Sequence, residues 1–190
     1  MLGLSCLSCG RIKEAETALD EVMRFGDSFG FDALGTTAKG MMSVVSLMKG
    51  RLKQGLRAAE DVLRVCLLNE SRVRYALLEY MLGDFYLQIV QGRMPKSPTL
   101  LVKNFDFLVT KLPFASKKAE KHFTNAIDAA KQIGAKCFLG QAYLDLGLLH
   151  KAKGRKDQAR EFISQAAQAF EQCEADLYLT KAREALATLL

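Results

Sequence analysis

Tryptophan is absent from this chain of 190 residues, and proline occurs only at Pro95, Pro98 and Pro113. All three prolines fall in one short stretch. The rest of the chain therefore lacks the residue that breaks a helix interior at a cost of about 3 kcal/mol. No run approaches the roughly 18 consecutive apolar residues of a membrane-spanning helix. These absences predict long uninterrupted helices and no membrane span.

Cysteine and histidine are also scarce, with five and two residues. The odd number and scattered spacing of the cysteines do not form a disulfide framework. Cys6 and Cys9 invite a zinc or redox interpretation, but no second pair at ligand spacing follows, so small buried helix residues are favoured. Neither His122 nor His150 has a Cys, Asp or Glu at i+3 or i+4 on a ligand face. With no glycine-rich phosphate loop either, the sequence predicts no enzyme activity, no metal and no cofactor.

The overall composition is that of an ordinary soluble folded protein, with 49 % apolar and 25 % charged residues. The first residues, MLGLSCLSCG, lack the basic region and the apolar length of a signal peptide. We therefore predict a cytoplasmic location.

Residues 140–173 have the pattern of two antiparallel amphipathic helices joined by a turn at Gly154. The first helix carries a Leu-Gly pair at 146–147, and the second carries Ala159 and Ile163 on its inner face. These residues fill most places of the tetratricopeptide signature, W-x2-L-G-x2-Y followed by A-x3-F. The stretch predicts a tetratricopeptide-like helical hairpin.

The same features recur at regular offsets earlier in the chain. Ala119 with Phe123 repeats the second motif, and a Leu-Gly pair at 82–83 repeats the first. A period of about 40 residues, interrupted once by an insertion at about 93–116, accounts for both offsets. We predict an all-α fold, a right-handed α-solenoid of antiparallel helix pairs that forms a single domain over residues 1–190.

The apolar periodicity places the individual helices. Ser97-Pro98 starts an extra amphipathic helix inside the insertion, and Pro113 ends it. A last helix is expected to cap the open end of the array. Since the opening hairpin has only part of its first helix, over 1–9, we expect the chain to be a piece of a longer protein that self-associates through its N-terminal end. The other helices are expected at 11–25, 31–49, 51–68, 70–91, 114–133, 136–153, 156–172 and 175–189.

The formal net charge of +6 is concentrated in and after the insertion. Residues 93–121 include seven basic and two acidic side chains. These lysines are solvated on a helix that covers the array, or attract an acidic protein partner, or bind an anionic membrane or nucleic acid. Nucleic acid is disfavoured because arginine is scarce and no aromatic residues are interleaved with the lysines. The basic residues assigned to this insertion are Lys96, Lys103, Lys111, Lys117 and Lys118.

The first helix of each pair is expected to line the concave face of the array. This face has an apolar floor that contains methionine, which suits an amphipathic helix or an extended apolar peptide. The alternative is that the inserted helix fills the face from within. The predicted lining residues are Met41, Val44, Leu47, Met48, Tyr80, Asp84, Leu87, Gln88, Gln141, Leu144, Leu148 and Lys151.

Two stretches carry a family resemblance: LVTKLPFASKKAEKHFTNAIDAAKQIGAK from Leu108, and LGQAYLDLGLLHKAKGRKDQAREFISQAAQAFEQCEADLYLTKAREAL from Leu139. They resemble the C-terminal repeats of large bacterial signalling proteins that join a class III adenylate/guanylate cyclase domain to an AAA-type ATPase and a tetratricopeptide tail. The resemblance implies a regulatory or scaffolding tail, and no catalytic residue of either enzyme domain has a counterpart here. We therefore predict a protein-interaction module that binds a peptide or a neighbouring domain. The alternatives are a ligand sensor and an oligomerisation platform.

Overall fold

The computed structural model describes residues 11–93, 104 and 112–189. Within these residues the chain is helical and contains no strand, so the prediction of an all-α fold with consecutively packed helices is confirmed for them. The predicted helices over 1–9 and inside the insertion lie outside the described residues. The α-helices are α1 (Ile12–Phe29), α2 (Asp32–Met48), α3 (Leu52–Leu68), α4 (Arg72–Val90), α5 (Ala115–Ile133), α6 (Lys136–Ala152), α7 (Lys156–Gln172) and α8 (Asp176–Ala187), with a 3₁₀ turn at Leu112–Phe114.

Helix α1 runs past its predicted end at residue 25. Gly26 lies inside the helix and is buried against α2. A Cβ atom at this position would come within 3.1 Å of the backbone nitrogen of Gly35, so only glycine allows this approach. The glycine therefore serves a close helix–helix approach and does not end the helix. The helix ends at Gly30, whose φ of 69° is left-handed, a conformation that glycine adopts without strain.

The described residues divide into two compact units. The first holds residues 11–74 and 104, and the second holds residues 75–93 and 112–189. In the first unit α1 packs against α2, and α2 packs against α3. In the second unit α5 packs against α6, α6 against α7, and α7 against α8.

The helix starts are regularly spaced. Helices α2, α4, α6 and α8 begin at Asp32, Arg72, Lys136 and Asp176, so the first and last intervals are equal and the middle interval, which contains the insertion, is longer. Each of these helices follows a turn residue with positive φ, and the turn residues keep the same intervals. They are Gly30, Glu70, Gly134 and Glu174.

Each Leu-Gly pair places a glycine at a close approach between two helices. A Cβ at Gly147 of α6 would lie 2.5 Å from the Cγ1 atom of Ile163 in α7, and one at Gly83 of α4 would lie 2.7 Å from the Phe123 ring in α5. Ile163 and Phe123 are fully buried. A larger residue at either glycine would push the facing core side chain out of place.

Among the described helices, none combines the length and the apolar composition that a membrane span requires.

Candidate functional site

A groove in the second unit is bordered by α4, α6 and α8, and we call it the α4/α6/α8 groove. Its volume is about 490 Å³. Apolar and aromatic side chains form its floor, and lysine and glutamate side chains stand at its rim. The lining residues are Tyr80, Gln141, Leu144, Asp145, Leu148, Lys151, Tyr178, Lys181, Glu184, Ala185 and Thr188.

A tyrosine–aspartate pair links α4 to α6 at the floor of this groove. The Tyr80 hydroxyl donates a hydrogen bond to Oδ2 of Asp145 at 2.8 Å. Burial raises the pKa of Asp145 to about 7; the hydrogen bond from Tyr80 opposes this rise, and the nearby Asp84 carboxyl adds to it. Burial and the Asp145 carboxylate raise the pKa of Tyr80 as well. The floor of the groove is therefore uncharged when Asp145 is protonated and anionic at higher pH.

The α4 side of this pair carries a second partly buried carboxyl. The side-chain amide of Gln88 donates to Oδ2 of Asp84 at 2.8 Å. Burial raises the pKa of Asp84, while the Gln88 hydrogen bond and the positive charge of Arg93 lower it. The two carboxyls therefore both favour the neutral form more than an exposed aspartate does.

Side chains of α6 and α8 form a rim of the α4/α6/α8 groove. The Lys151 ammonium group donates to the Thr188 hydroxyl at 2.6 Å, so it joins α6 to the end of α8. The Lys181 ammonium group lies 5.3 Å from the centre of the Tyr178 ring. That ring stacks on the buried Phe170 ring with a centroid distance of 5.3 Å. The rim thus combines a core-anchored aromatic ring with cationic groups.

The predicted concave residues divide between the two units. Of those on α4 and α6, five line the α4/α6/α8 groove: Tyr80, Gln141, Leu144, Leu148 and Lys151. Asp84 and Gln88 bond to each other beside Tyr80, and Leu87 is buried. On α2, Met41 and Met48 are half-buried, whereas Val44 and Leu47 are buried in the first unit. Their role in binding a partner stays a prediction.

The residues of α8 were not predicted as lining residues, because α8 was interpreted as a cap alone. The repeat interval would have found them. Tyr178, Lys181 and Thr188 each lie one repeat period after a residue of α6, namely Phe138, Gln141 and Leu148. Since Gln141 and Leu148 were predicted to face the groove, the same interval assigns Lys181 and Thr188 to it.

A buried polar cluster lies between α4 and α5. Glu79 is 3 % exposed. Its Oε2 atom is 2.6 Å from Nδ1 of His122, and its Oε1 atom accepts a hydrogen bond from the Asn125 amide at 3.0 Å. The His122 ring stacks on Tyr86 with a centroid distance of 5.6 Å. Helical spacing alone could not reveal this pairing, because Glu79 precedes His122 by 43 residues. Both oxygens of Glu79 have partners, so the cluster joins the two helices.

The other histidine, His150, lies in the core of the second unit. Its ring stacks on Phe162 at 5.2 Å, and its Nδ1 atom is buried without a hydrogen-bond partner. Burial lowers the pKa of His150, which favours the neutral form of the ring, and the ring packs as an aromatic group against Phe162. His150 stands three residues after Gly147, where the tetratricopeptide signature has its tyrosine, so a buried aromatic ring fits this position.

Of the lysines predicted to form the basic surface, Lys117 and Lys118 are described, and their side chains lie in different environments. Lys117 is exposed and lines a second groove of the second unit. The Lys118 ammonium group instead lies 3.2 Å from the Tyr86 hydroxyl, to which it donates. Lys96, Lys103 and Lys111 lie outside the described residues. Within the insertion, Asn104 is described and belongs to the first unit, where its amide donates to the Gly50 carbonyl at 2.8 Å.

Metal-ligating side chains do not cluster in the described parts of the chain. No group of three or more His, Cys, Asp or Glu residues there could hold an ion. Cys66, Cys137 and Cys173 are free thiols. Burial raises the pKa of the Cys66 thiol, which makes the reactive thiolate less available.

No family model matches the sequence. No curated protein matches it significantly either. The resemblance to the repeat tail of cyclase–ATPase signalling proteins therefore stays a prediction.

Proposed function

We propose that this chain is a non-catalytic, tetratricopeptide-like interaction module whose α4/α6/α8 groove binds an amphipathic peptide segment of another protein. The observation that carries this proposal is the composition of the groove. Leu144, Leu148 and Tyr80 supply an apolar and aromatic floor, while Lys181 and Glu184 stand exposed at the rim. An amphipathic segment would place its apolar side chains on such a floor and its polar side chains at the rim.

The side chains at the rim of the groove favour a peptide ligand over a small-molecule ligand. Sites for small molecules fix their ligands with a few convergent, well-held polar groups. Here Lys181 and Glu184 are long, exposed side chains of both signs, which adapt to a polypeptide of varied sequence. The Tyr80–Asp145 pair is the observation that favours the alternative of a small-molecule sensor, because it is a fixed polar group on the floor.

The wider role follows the resemblance noted in the sequence. A module that binds a peptide or a neighbouring domain suits the regulatory tail of a bacterial signalling protein. The tetratricopeptide period and the right-handed winding predicted from the sequence belong to this proposal.

An oligomerisation platform is the second candidate function, and an exposed aromatic cluster in the first unit favours it. Phe25, Phe29 and Phe31 are 49 %, 65 % and 51 % exposed, and the rings of Phe25 and Phe29 lie 4.6 Å apart. Contiguous exposed apolar groups of this kind mark interaction surfaces. Sedimentation of the chain and of its Phe29→Ser variant would test this candidate. A monomer at every concentration would exclude it.

Selection from a displayed random-peptide library, followed by fluorescence anisotropy with the selected peptides, tests the proposed groove. Leu148→Glu puts a charge on the half-buried floor and should weaken binding by at least about tenfold, the loss expected at a buried interface position. Gln168→Glu adds the same charge at an exposed position of α7 and should change the Kd less than about twofold. If a folded Leu148→Glu variant keeps the parent affinity, the groove is not the binding site.

A further inference from the structure

The second groove of the second unit lies beside the start of α5 and the turn between α6 and α7, and we call it the basic groove. Its volume is about 800 Å³. Among the described residues, four cationic side chains line it, Lys117, Lys121, Lys153 and Arg155, against one carboxylate, that of Glu120. It shares no lining residue with the α4/α6/α8 groove.

The cations of the basic groove are only partly neutralised by the protein. Oε2 of Glu120 lies 3.1 Å from the Lys153 ammonium group and 3.8 Å from the Arg155 guanidinium. One carboxylate therefore serves two cations. Lys117 and Lys121 are exposed and form no ion pair with a carboxylate of the described residues. The described lining of the groove keeps an excess of three positive charges, which attracts an anionic partner.

The first unit supplies an internal comparison for these charges. Glu16 pairs with Lys49 at 2.6 Å and with Arg51 at 3.3 Å, so the same three residue types pair at the same sequence spacing as in the Glu120 set. The hydrogen bond from Lys49 holds the pKa of Glu16 below its usual range. The ion-pair set thus recurs in both units as part of the repeat.

The additional lysine does not recur. The position that corresponds to Lys121 is Thr17, and the positions that correspond to Thr124 and Asn125 are Asp20 and Glu21. The equivalent surface of the first unit therefore has balanced charge. Lys117 has a counterpart in Lys13, so Lys121 is the one added cation, and since the same helical hairpin forms in the first unit without it, building the repeat does not require it.

The spacing of the free lysines fits an extended acidic segment. Lys117 and Lys121 stand one helical turn apart, about 6 Å along the axis. Side chains two residues apart on an extended peptide are about 6.6 Å apart and point to the same side. Carboxylates at alternate positions could therefore reach both lysines. Phe114, at 54 % exposure beside Pro113, supplies an apolar contact at the end of the groove.

Other anionic ligands fit this surface less well. A single phosphate group is bound by cations that converge on one point, often through the forked guanidinium of arginine. Here the two unpaired cations are separated along a helix and both are lysines. Single-stranded nucleic acid needs several aromatic side chains on which bases stack, and Phe114 is the one aromatic side chain among the described lining residues of the groove.

We infer that the basic groove docks an extended acidic segment of a partner protein, with carboxylates on Lys117 and Lys121 and an apolar side chain on Phe114. This site is independent of the α4/α6/α8 groove. A Leu148→Glu variant should therefore bind the acidic segment as the parent chain does.

The test is fluorescence anisotropy with a short labelled peptide that has Asp or Glu at alternate positions and one Phe. Binding should be saturable below about 100 µM at low ionic strength and should weaken as salt is added. The double variant Lys117→Glu with Lys121→Glu should lose at least about tenfold in affinity. The control, Lys13→Glu with Lys53→Glu, makes the same change in net charge at exposed positions of α1 and α3 and should lose less than about threefold.

Several results would overturn this inference. One is equal binding of the peptide in which Asn and Gln replace the acidic residues. Another is an equal loss of affinity in the control variant, since that would report net charge alone. Tighter binding of oligothymidylate or of phosphatidylserine vesicles, removed by the same Lys117 and Lys121 substitutions, would assign the surface to nucleic acid or membrane instead. Circular dichroism of each variant verifies that the helices are intact.

Discussion

Glu70 and Glu174 hold backbone conformations that are usual for glycine. Their φ angles are 50° and 54°, and glycine occupies the corresponding turns at Gly30 and Gly134 with φ near 69° and 68°. A side chain with a Cβ in this left-handed region costs roughly 1 kcal/mol relative to glycine. The two glutamates are therefore local weak points of turns that the repeat otherwise closes with glycine.

We predict that Glu174→Gly raises the free energy of unfolding by about 1 kcal/mol, because the strain is relieved at that turn. Gln168→Gly is the matched control, since it introduces glycine at an exposed position inside α7, where glycine costs about 1 kcal/mol. Urea denaturation of both variants measures the two changes. A Glu174→Gly variant less stable than the parent chain would show that the turn gains more from the side chain than it loses to strain.

The raised pKa of Asp145 makes stability depend on pH. This pKa is about 7 in the folded chain, against about 3.9 in an unfolded one. Between these values the folded chain holds a proton that the unfolded chain has released. Raising the pH through this window therefore lowers the free energy of unfolding, by at most about 1.4 kcal/mol per pH unit for one proton. The raised pKa of Asp84 acts in the same direction.

Asp145→Asn should remove most of this pH dependence and stabilise the chain above about pH 7, since asparagine cannot ionise and its carbonyl still accepts the Tyr80 hydrogen bond. Thermal denaturation of the variant and the parent chain from about pH 4 to about pH 8 measures both effects on stability. Asp128→Asn, at an exposed position of α5, is the control and should keep the parent profile. A parent chain whose stability is flat across this range would show that Asp145 ionises freely in the fold.

At the scale of helix pairs, the α6–α7 contact depends on the small residue at Gly147. A Cβ there would approach the backbone nitrogen of Ile163 at 3.1 Å and the carbonyl oxygen of Ala159 at 3.2 Å, besides the Ile163 side chain. Backbone atoms cannot move aside as a flexible side chain can. Gly147→Ala should therefore lower the free energy of unfolding by about 1–3 kcal/mol despite the higher helix propensity of alanine.

Chemical denaturation of Gly147→Ala beside Ser164→Ala checks this expectation. Ser164 is exposed on α7, so its replacement by alanine should change stability by less than about 0.5 kcal/mol. A Gly147→Ala variant as stable as the parent would mean that α6 and α7 separate without loss, contrary to tight packing at this contact.

The sequence was informative about helices because their signals are local. Proline-free amphipathic periods and turn glycines placed α2 to α7 within a few residues of their observed ends. The end of α1 was predicted too early, because a glycine such as Gly26 marks a helix end or a close approach equally well, and only the facing Gly35 distinguishes the two. Local pattern could not supply that partner.

Side-chain pairings between helices could not be predicted from the sequence, because local patterns do not specify partners that are distant in the chain. Glu79 meets His122, and Tyr80 meets Asp145, across 43 and 65 residues. No helical spacing links such residues. The repeat interval relates the pair Glu16 and Lys49 to the pair Glu120 and Lys153, so once one pair is known it predicts the other. It does not predict positions at which the units differ, such as Lys121 and Thr17.

At the scale of the whole molecule, the second unit carries two grooves of different chemistry, and we propose both as binding surfaces. The α4/α6/α8 groove combines an apolar floor with a rim of both charge signs, and the basic groove is cationic. A module with both could hold an amphipathic segment and an acidic segment of one partner. Linking two such contacts raises the overall affinity when the linker can span both.

The most direct measurement is methyl NMR of the chain titrated with a peptide selected for binding. The proposed function predicts that the methyl resonances of Leu144 and Leu148 shift with a single saturating dependence on peptide concentration, while those of Val22 on the exposed surface of α1 stay in place. Shifts confined to residues outside the α4/α6/α8 groove would contradict the proposal.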